Sequence, residues 1–277
     1  MLKRGFAGVA FIAVIIAGGS AAQAGTLEDC DQDKDIELKL KACTTMIKRE
    51  PGKMDHYIER GNGYYNQNDY EKAIADYAKA IQLAPRSEVA HHNRCAAYNQ
   101  SNQPDRAIPD CNKAIAIDPK DTIAYNNRCH SHILKSQFDL AIADCRRALA
   151  IKRDYGRSWR NLCNALVKKG DADTAVTECS KGIDIVPSEG WIYFHRSNAY
   201  LLKADLSKAL TDADRANILE QDEIEILVLR GRILQQQGEV DKAMADYRAA
   251  LKLTAADDAD REAQRDALDR LADLGKR

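Results

Sequence analysis

Apolar positions along this chain recur at spacings of three and four, break at a polar dipeptide or tripeptide, and then resume. From Met54 onward, Tyr57 and Tyr64 mark one such run, and Ala73, Ile74, Tyr77 and Ile81 mark the next, with Asn68-Asp69 between them. This spacing predicts two amphipathic helices joined by a short turn. The same break returns at Gln103-Pro104-Asp105, Gln137-Phe138-Asp139, Gly170-Asp171-Ala172 and Gly238-Glu239. Pro85, Pro119 and Pro187 close three of the second helices, because proline lacks the N–H that a helix needs to continue.

The breaks obey a period of 34 residues. Asn127-Arg128-Cys129 falls on Asn93-Arg94-Cys95, Ala141-Ile142 on Ala107-Ile108, and Cys145 on Cys111. Six units follow, at 54–87, 88–121, 122–155, 156–189, 190–223 and 224–257. Counted within a unit, the twentieth place is always alanine, from Ala73 to Ala243. The twenty-seventh is Ala or Gly, which lets two helices approach closely. The eighth place is small: Gly61, Cys95, Cys129, Cys163, Ser197, Gly231. The fourth is bulky in most units, as in Tyr57, Tyr125, Trp159, Tyr193 and Leu227. Arg60, Arg94, Arg128, Arg196 and Arg230 share the seventh place. Such regularity predicts a structural role, with each arginine stem lying over the helix interface and its guanidinium in water or paired.

This order of aromatic, small, Tyr, Ala, Tyr, Ala and Pro resembles the tetratricopeptide repeat, and the first unit with Pro85 matches every place. The resemblance covers residues 54–257. It implies an all-α, right-handed superhelical solenoid of antiparallel helix pairs. Gln221 and Ala255 stand where the closing proline belongs, so the ends of the fifth and sixth units are less defined. Residues 25–53 read as an N-terminal extension with a capping half-repeat: Leu40, Cys43, Met46 and Ile47 form an apolar stripe, and Pro51 precedes Pro85 by one period. Residues 258–277 read as an amphipathic capping helix with Ala263, Ala267, Leu268, Leu271 and Leu274 on one side, as a solenoid end requires.

The chain has 277 residues and a formal net charge of -1, which supplies no basic field for nucleic acid or an anionic membrane. Residues 1–24 carry Lys3-Arg4, an apolar run from Phe6 to Ala17, and Ala22-Gln23-Ala24, the three parts of a cleavable secretory signal. The mature chain is therefore expected in the periplasm or secreted, without stable membrane insertion. An oxidising compartment and eight cysteines predict disulfides. Cys95, Cys129 and Cys163 hold the eighth place, and Cys111, Cys145 and Cys179 the twenty-fourth. Pairing within units gives Cys95–Cys111, Cys129–Cys145 and Cys163–Cys179. Pairing between units gives Cys111–Cys129 and Cys145–Cys163. Joint presence of both cysteines in units two to four, and joint absence elsewhere, favours the first scheme. Cys30 and Cys43 then pair with each other. No C-x-x-C occurs for redox chemistry, and His130 beside Cys129 points to another helix face, so neither zinc nor any other metal or cofactor is expected.

The resemblance also implies a groove lined by first helices, whose sixth place faces a bound peptide. Here Asn93, Asn127 and Asn161 form an amide ladder there, continued by His195, able to hydrogen-bond a peptide backbone. His92, Arg157, Arg160 and Asn198 are neighbouring candidates, and the cations favour an acidic segment; the competing reading is a solvated helix face. A carboxylate clamp known in the family is disfavoured, since only Asn62 and Asn93 match it, while Ile58, Ile123 and Asn127 stand at its cation places. No nucleophile motif, phosphate loop or metal-protease helix occurs, so catalysis is not expected. The expected function is a non-enzymatic scaffold for a protein or peptide partner, the protein itself a monomer or weak oligomer. The alternative is an accessory structural subunit of a cell-envelope or glycan-handling assembly. The C-terminal helix could also fold back into the groove.

Overall fold

The computed structural model describes residues 26–275; the signal reading of residues 1–24 lies outside them. The described residues form fifteen α-helices and no strand. They fall into two compact units that divide between Pro85 and Arg86. The first holds α1 (Leu27–Asp31), α2 (Ile36–Arg49), α3 (Met54–Asn66) and α4 (Tyr70–Leu83). The second holds five helix pairs: α5 (Glu88–Gln100) with α6 (Pro104–Ile117), α7 (Thr122–Leu134) with α8 (Phe138–Ile151), α9 (Gly156–Lys169) with α10 (Ala172–Ile185), α11 (Gly190–Leu202) with α12 (Leu206–Leu219), and α13 (Ile224–Gln236) with α14 (Val240–Ala250). It ends in α15 (Asp258–Leu274).

The turn inside each pair has one backbone solution. Its fifteenth-place residue is left-handed in all six: Asn68, Asn102, Ser136, Gly170, Ala204 and Gly238 have φ between 54° and 83°. Asn and Gly tolerate that region, whereas Ser136 and Ala204 hold it at a cost. The following aspartate starts the second helix, with Asp69, Asp171 and Asp205 accepting the N–H of Lys72, Thr174 and Lys208. The α4, α6 and α10 helices each stop two residues before their proline.

Two side-chain sites recur between the helices of a pair. The first joins the eighth place to the twenty-fourth. In the α3/α4 pair Gly61 makes room for the fully buried Tyr77, and a Cβ on Gly61 would stand 2.6 Å from that ring. In the α13/α14 pair Gly231 makes the same room for Tyr247, at 2.5 Å. In the three pairs from α5 to α10 the site holds disulfides instead: Cys95–Cys111, Cys129–Cys145 and Cys163–Cys179, with Cα atoms 5.5 to 5.6 Å apart. Cys30–Cys43 ties α1 to α2, and no cysteine among the described residues is free. The bonds are those within units; the pairing between units does not form. In the α11/α12 pair Ser197 donates to the Ala209 carbonyl at 2.7 Å. One spatial slot is thus filled by Gly and Tyr, by two sulfurs, or by Ser and Ala.

The second site pairs the seventh-place arginine with an aspartate sixteen residues on. Arg60–Asp76, Arg94–Asp110, Arg128–Asp144, Arg196–Asp212 and Arg230–Asp246 each make two nearly parallel bonds of 2.6 to 2.8 Å. The remaining Nη1 reaches the preceding second helix: Arg60 to Thr44, Arg128 to Asn112 and Arg196 to Ser180. These three guanidinium groups therefore each clamp two second helices, and the carboxylate that Arg128 meets raises its pKa. The α9/α10 pair has Leu162 and Glu178 at these places, and Leu162 is buried in an apolar cluster with Leu166 and Trp159.

The end of the last pair is covered by α15. Its Ala263, Ala267, Leu271 and Leu274 pack on Leu227, Val228 and Tyr247, and Gln264 donates to the carbonyls of Ala250 and Leu253 at 3.0 and 2.9 Å. The helix stands beside α13 in the position a further first helix would take.

Candidate partner-binding face

The first helices of the second unit lie side by side, α5 on α7, α7 on α9, α9 on α11 and α11 on α13. The sixth place, predicted to face a groove, lies on the seam between neighbouring helices. Asn161 is buried, and its Nδ2 donates to Asn126 Oδ1 at 3.1 Å. Asn127 donates from Nδ2 to the His92 carbonyl at 3.0 Å. The Asn127 carbonyl in turn accepts from Asn99 Nδ2 at 2.8 Å. His195 is buried, and in the last pair Leu229 takes the place, 3 % exposed. In the first unit Glu59 is engaged by the buried Lys39 at 2.6 Å. Asn127 and Asn161 thus spend amide N–H groups on neighbouring repeats: packing at first-helix distance turns the sixth place toward the neighbour, and the amides hold repeats together. Asn93 is half-buried. His92 is buried with Nδ1 2.7 Å from Asp121 Oδ2, and its imidazole holds that carboxyl below the usual carboxylate range against the opposing effect of burial.

The open part of the face is built from other places. A cleft of about 430 Å³ is lined by Lys168 of α9, Asn198 of α11, and Glu225 and Arg232 of α13, with Glu262 and Asp266 of α15 on its far wall. In the 34-residue register these first-helix residues are the second, ninth and thirteenth places, and the fifth adds Phe194. The same places in earlier repeats hold the exposed Ile123, Leu134 and Arg157 and the half-buried Arg160 and Asn164. Of the predicted site residues, Arg157, Arg160 and Asn198 thus share this face. Asn198 orients its amide by donating to the Phe194 carbonyl at 3.0 Å.

The electrostatics differ from one end of the face to the other. His195 is pushed down to about 3 by burial, then by Arg160 and Lys168. The same causes push His130 down to about 4. Both imidazoles are neutral at pH 7. At the other end Glu225 is raised to about 7 by burial, with Asp257, Asp260 and Glu223 adding repulsion and Lys168 opposing them. The face is cationic at α9 and mixed where α13 meets α15, since Arg232 and Arg270 line the cleft beside Glu225, Glu262 and Asp266.

Lys168, Glu225 and Arg232 were not singled out from the sequence. One signal was available: α7, α9 and α11 contain no Asp or Glu at all, in a chain with 42 of them. Among the described residues no group of three or more His, Cys, Asp or Glu side chains has the arrangement of a metal site.

The family profile of the tetratricopeptide repeat matches residues 55–87 and 89–121, and a second profile of the same repeat matches 224–257. No curated protein matches the chain significantly. Among solved structures, a tetratricopeptide repeat protein from Parabacteroides merdae ATCC 43184 is similar, with a TM-score of 0.69 at 18% identity over 84% of this chain and 93% of that one. Pseudomonas aeruginosa pilF is similar with a TM-score of 0.61 at 18% identity, over 79% of this chain and 99% of that one. YrrB, described as a TPR protein with an unusual peptide-binding site, gives a TM-score of 0.52 at 20% identity, over 72% of this chain and 99% of that one. At these identities the likeness is one of fold.

Proposed function

This chain is a tetratricopeptide-repeat protein, and from that premise we propose that it is a non-enzymatic scaffold that holds a partner protein or peptide on the first-helix face of its second unit. The observation that carries the reading is the open cleft across α9, α11, α13 and α15, where side chains of both charges and apolar groups meet. YrrB, similar in fold, is described as having a peptide-binding site, which supports a face of this kind. The site of action is the periplasm or the exterior. Residues 1–24 have the pattern of a secretory signal, the four disulfides fit an oxidising compartment, and no described helix is long and apolar enough to cross a membrane.

Site-directed photocrosslinking in envelope extract tests the reading. A photoreactive residue at Asn198 is expected to give a discrete protein adduct, and one at Ile218, exposed on the second helix α12, is expected to give none. Adducts at Ile218 alone would move the interaction off the first-helix face.

A further inference from the structure

The charge on this face is segregated by helix. The carboxylates of the third to fifth repeats all lie outside their first helices: α7, α9 and α11 have none. Their cations divide into two groups. Arg128, Lys169 and Arg196 are ion-paired with Asp144, Asp139 and Asp212. Arg157, Arg160 and Lys168 form no ion pair among the described residues, and they occupy the second, fifth and thirteenth places of α9, those that line the cleft farther along. Their field is felt inside the fold, since Arg160 and Lys168 both help hold His130 and His195 neutral. Three cations gathered on one helix that carries no carboxylate repel one another, and an anion placed among them relieves that repulsion.

Apolar groups flank the cations on both sides. Ile123 and Leu134 of α7 are 40% and 38% exposed, and Leu202 of α11 is 59% exposed. They hold the second and thirteenth places, in line with Arg157 and Lys168. A free phosphate or a polyanion would satisfy the cations and leave this apolar surface in water. A peptide with both acidic and apolar side chains would cover both.

We propose that the face built by α7, α9 and α11 takes an extended acidic–apolar segment of a partner protein, with carboxylates on Arg157, Arg160 and Lys168 and apolar side chains on Ile123, Leu134 and Leu202. The proposal rests on the scaffold reading above and names its partner class. The geometry sets the length. Three adjacent helices about 10 Å apart span about 20 Å, which is about six residues of extended chain. The acidic stretch is matched to α9, because beyond Lys168 the face becomes mixed, with Glu225, Glu262 and Asp266 beside Arg232 and Arg270.

The test is fluorescence anisotropy of the mature, disulfide-bonded chain with a labelled ten-residue peptide of alternating Leu and Glu. Its comparators are the Leu/Lys peptide, a single-stranded oligonucleotide and a sulfated polysaccharide. The Leu/Glu peptide is expected to bind, to weaken on raising salt from 50 to 300 mM as screening shortens to roughly 5 to 6 Å, and to lose at least about tenfold in affinity in Arg157→Glu/Arg160→Glu/Lys168→Glu. Should that variant fail to fold by circular dichroism, the three Gln substitutions serve, with the same direction expected. Ile123→Ser/Leu202→Ser is expected to weaken the peptide and leave any polysaccharide binding unchanged. Equal binding of the Leu/Lys peptide, unchanged affinity in the cation variants, or preference for the oligonucleotide or polysaccharide would overturn the acidic-segment assignment. If the Leu/Glu peptide fails while Asn198 still crosslinks a protein, only the partner class falls and the scaffold reading stands.

Discussion

Removing the carboxylate of one interhelix clamp isolates what those clamps contribute. Arg128 meets Asp144 through Nε at 2.7 Å and Nη2 at 2.6 Å, with the side chains 22% and 10% exposed. Asp144→Asn keeps the shape and deletes the charge, leaving the guanidinium half-paired in a partly dry interface. Breaking a buried pair on one side costs about 3–5 kcal/mol. Here the arginine retains some water and its 2.7 Å bond to Asn112, so the cost should be about 2–3 kcal/mol. The α9/α10 pair shows a second solution at these places, Leu162 with Glu178. Transplanting it as Arg128→Leu/Asp144→Glu removes the stranded cation and should recover at least half of that loss. Global denaturation averages over stacked repeats, so the assay is native-state hydrogen exchange of α7 and α8 with Cys129–Cys145 intact. Asp144→Asn should cut protection there by about 30- to 140-fold, at 1.4 kcal/mol per decade. A loss below about threefold, or a double variant no better than the single, would refute the claim that desolvated pairing holds this interface.

Three further outcomes follow from the fold. Ala204 has φ of 57°, so Ala204→Gly should raise the urea midpoint, by about 1 kcal/mol in stability, while Gly170→Ala, at φ 83°, should lower it. Cys129→Gly/Cys145→Tyr should preserve the helical circular dichroism and stay folded in reductant, since Gly61 with Tyr77 fills the same slot; it should lose about 3 kcal/mol of cross-link stabilisation relative to the oxidised parent. Glu225 binds a proton more tightly in the folded state, near 7, than at its ordinary 4.5. Its contribution to stability is full below about 4.5 and is lost as pH rises through 7. After correction for intrinsic exchange rates, protection of α13 and α15 should fall by about 50- to 100-fold between pH 5 and pH 8, and Glu225→Gln should flatten the profile.

The Arg–Asp clamps were half visible before the structure. The arginines stood out at the seventh place, and their partners Asp76, Asp110, Asp144, Asp212 and Asp246 stood in an equally fixed register, absent with the arginine in the fourth repeat. Joint presence and absence, the signal that favoured Cys129–Cys145 over Cys145–Cys163, would have identified these pairs as well. The surroundings of the amide ladder were not legible in the same way. Asn93, Asn127 and Asn161 share a place in the period, but a period does not say whether that place faces solvent or the next helix. Changing Asn127 and Asn161 to alanine would remove bonds between repeats and so report on stability before it reported on a partner.

Sequence by itself determined the local geometry. Spacings of three and four set the helices, left-handed-tolerant and capping residues set most of the turns, and the 34-residue period placed the six cysteines of the second to fourth repeats opposite their partners, because both ends of a short antiparallel hairpin are bound by the hairpin's own length. What only the tertiary structure decided is which places of the first helices remain open once they stand side by side. That depends on contacts between residues 28 to 35 apart, such as Asn99 with Asn127 and Asn126 with Asn161. It also depends on burial, which turns His92 and His195 inward while leaving Arg157 and Lys168 in water. A linear pattern carries the period of such contacts, but their direction is set by the angle at which one helix pair packs on the next.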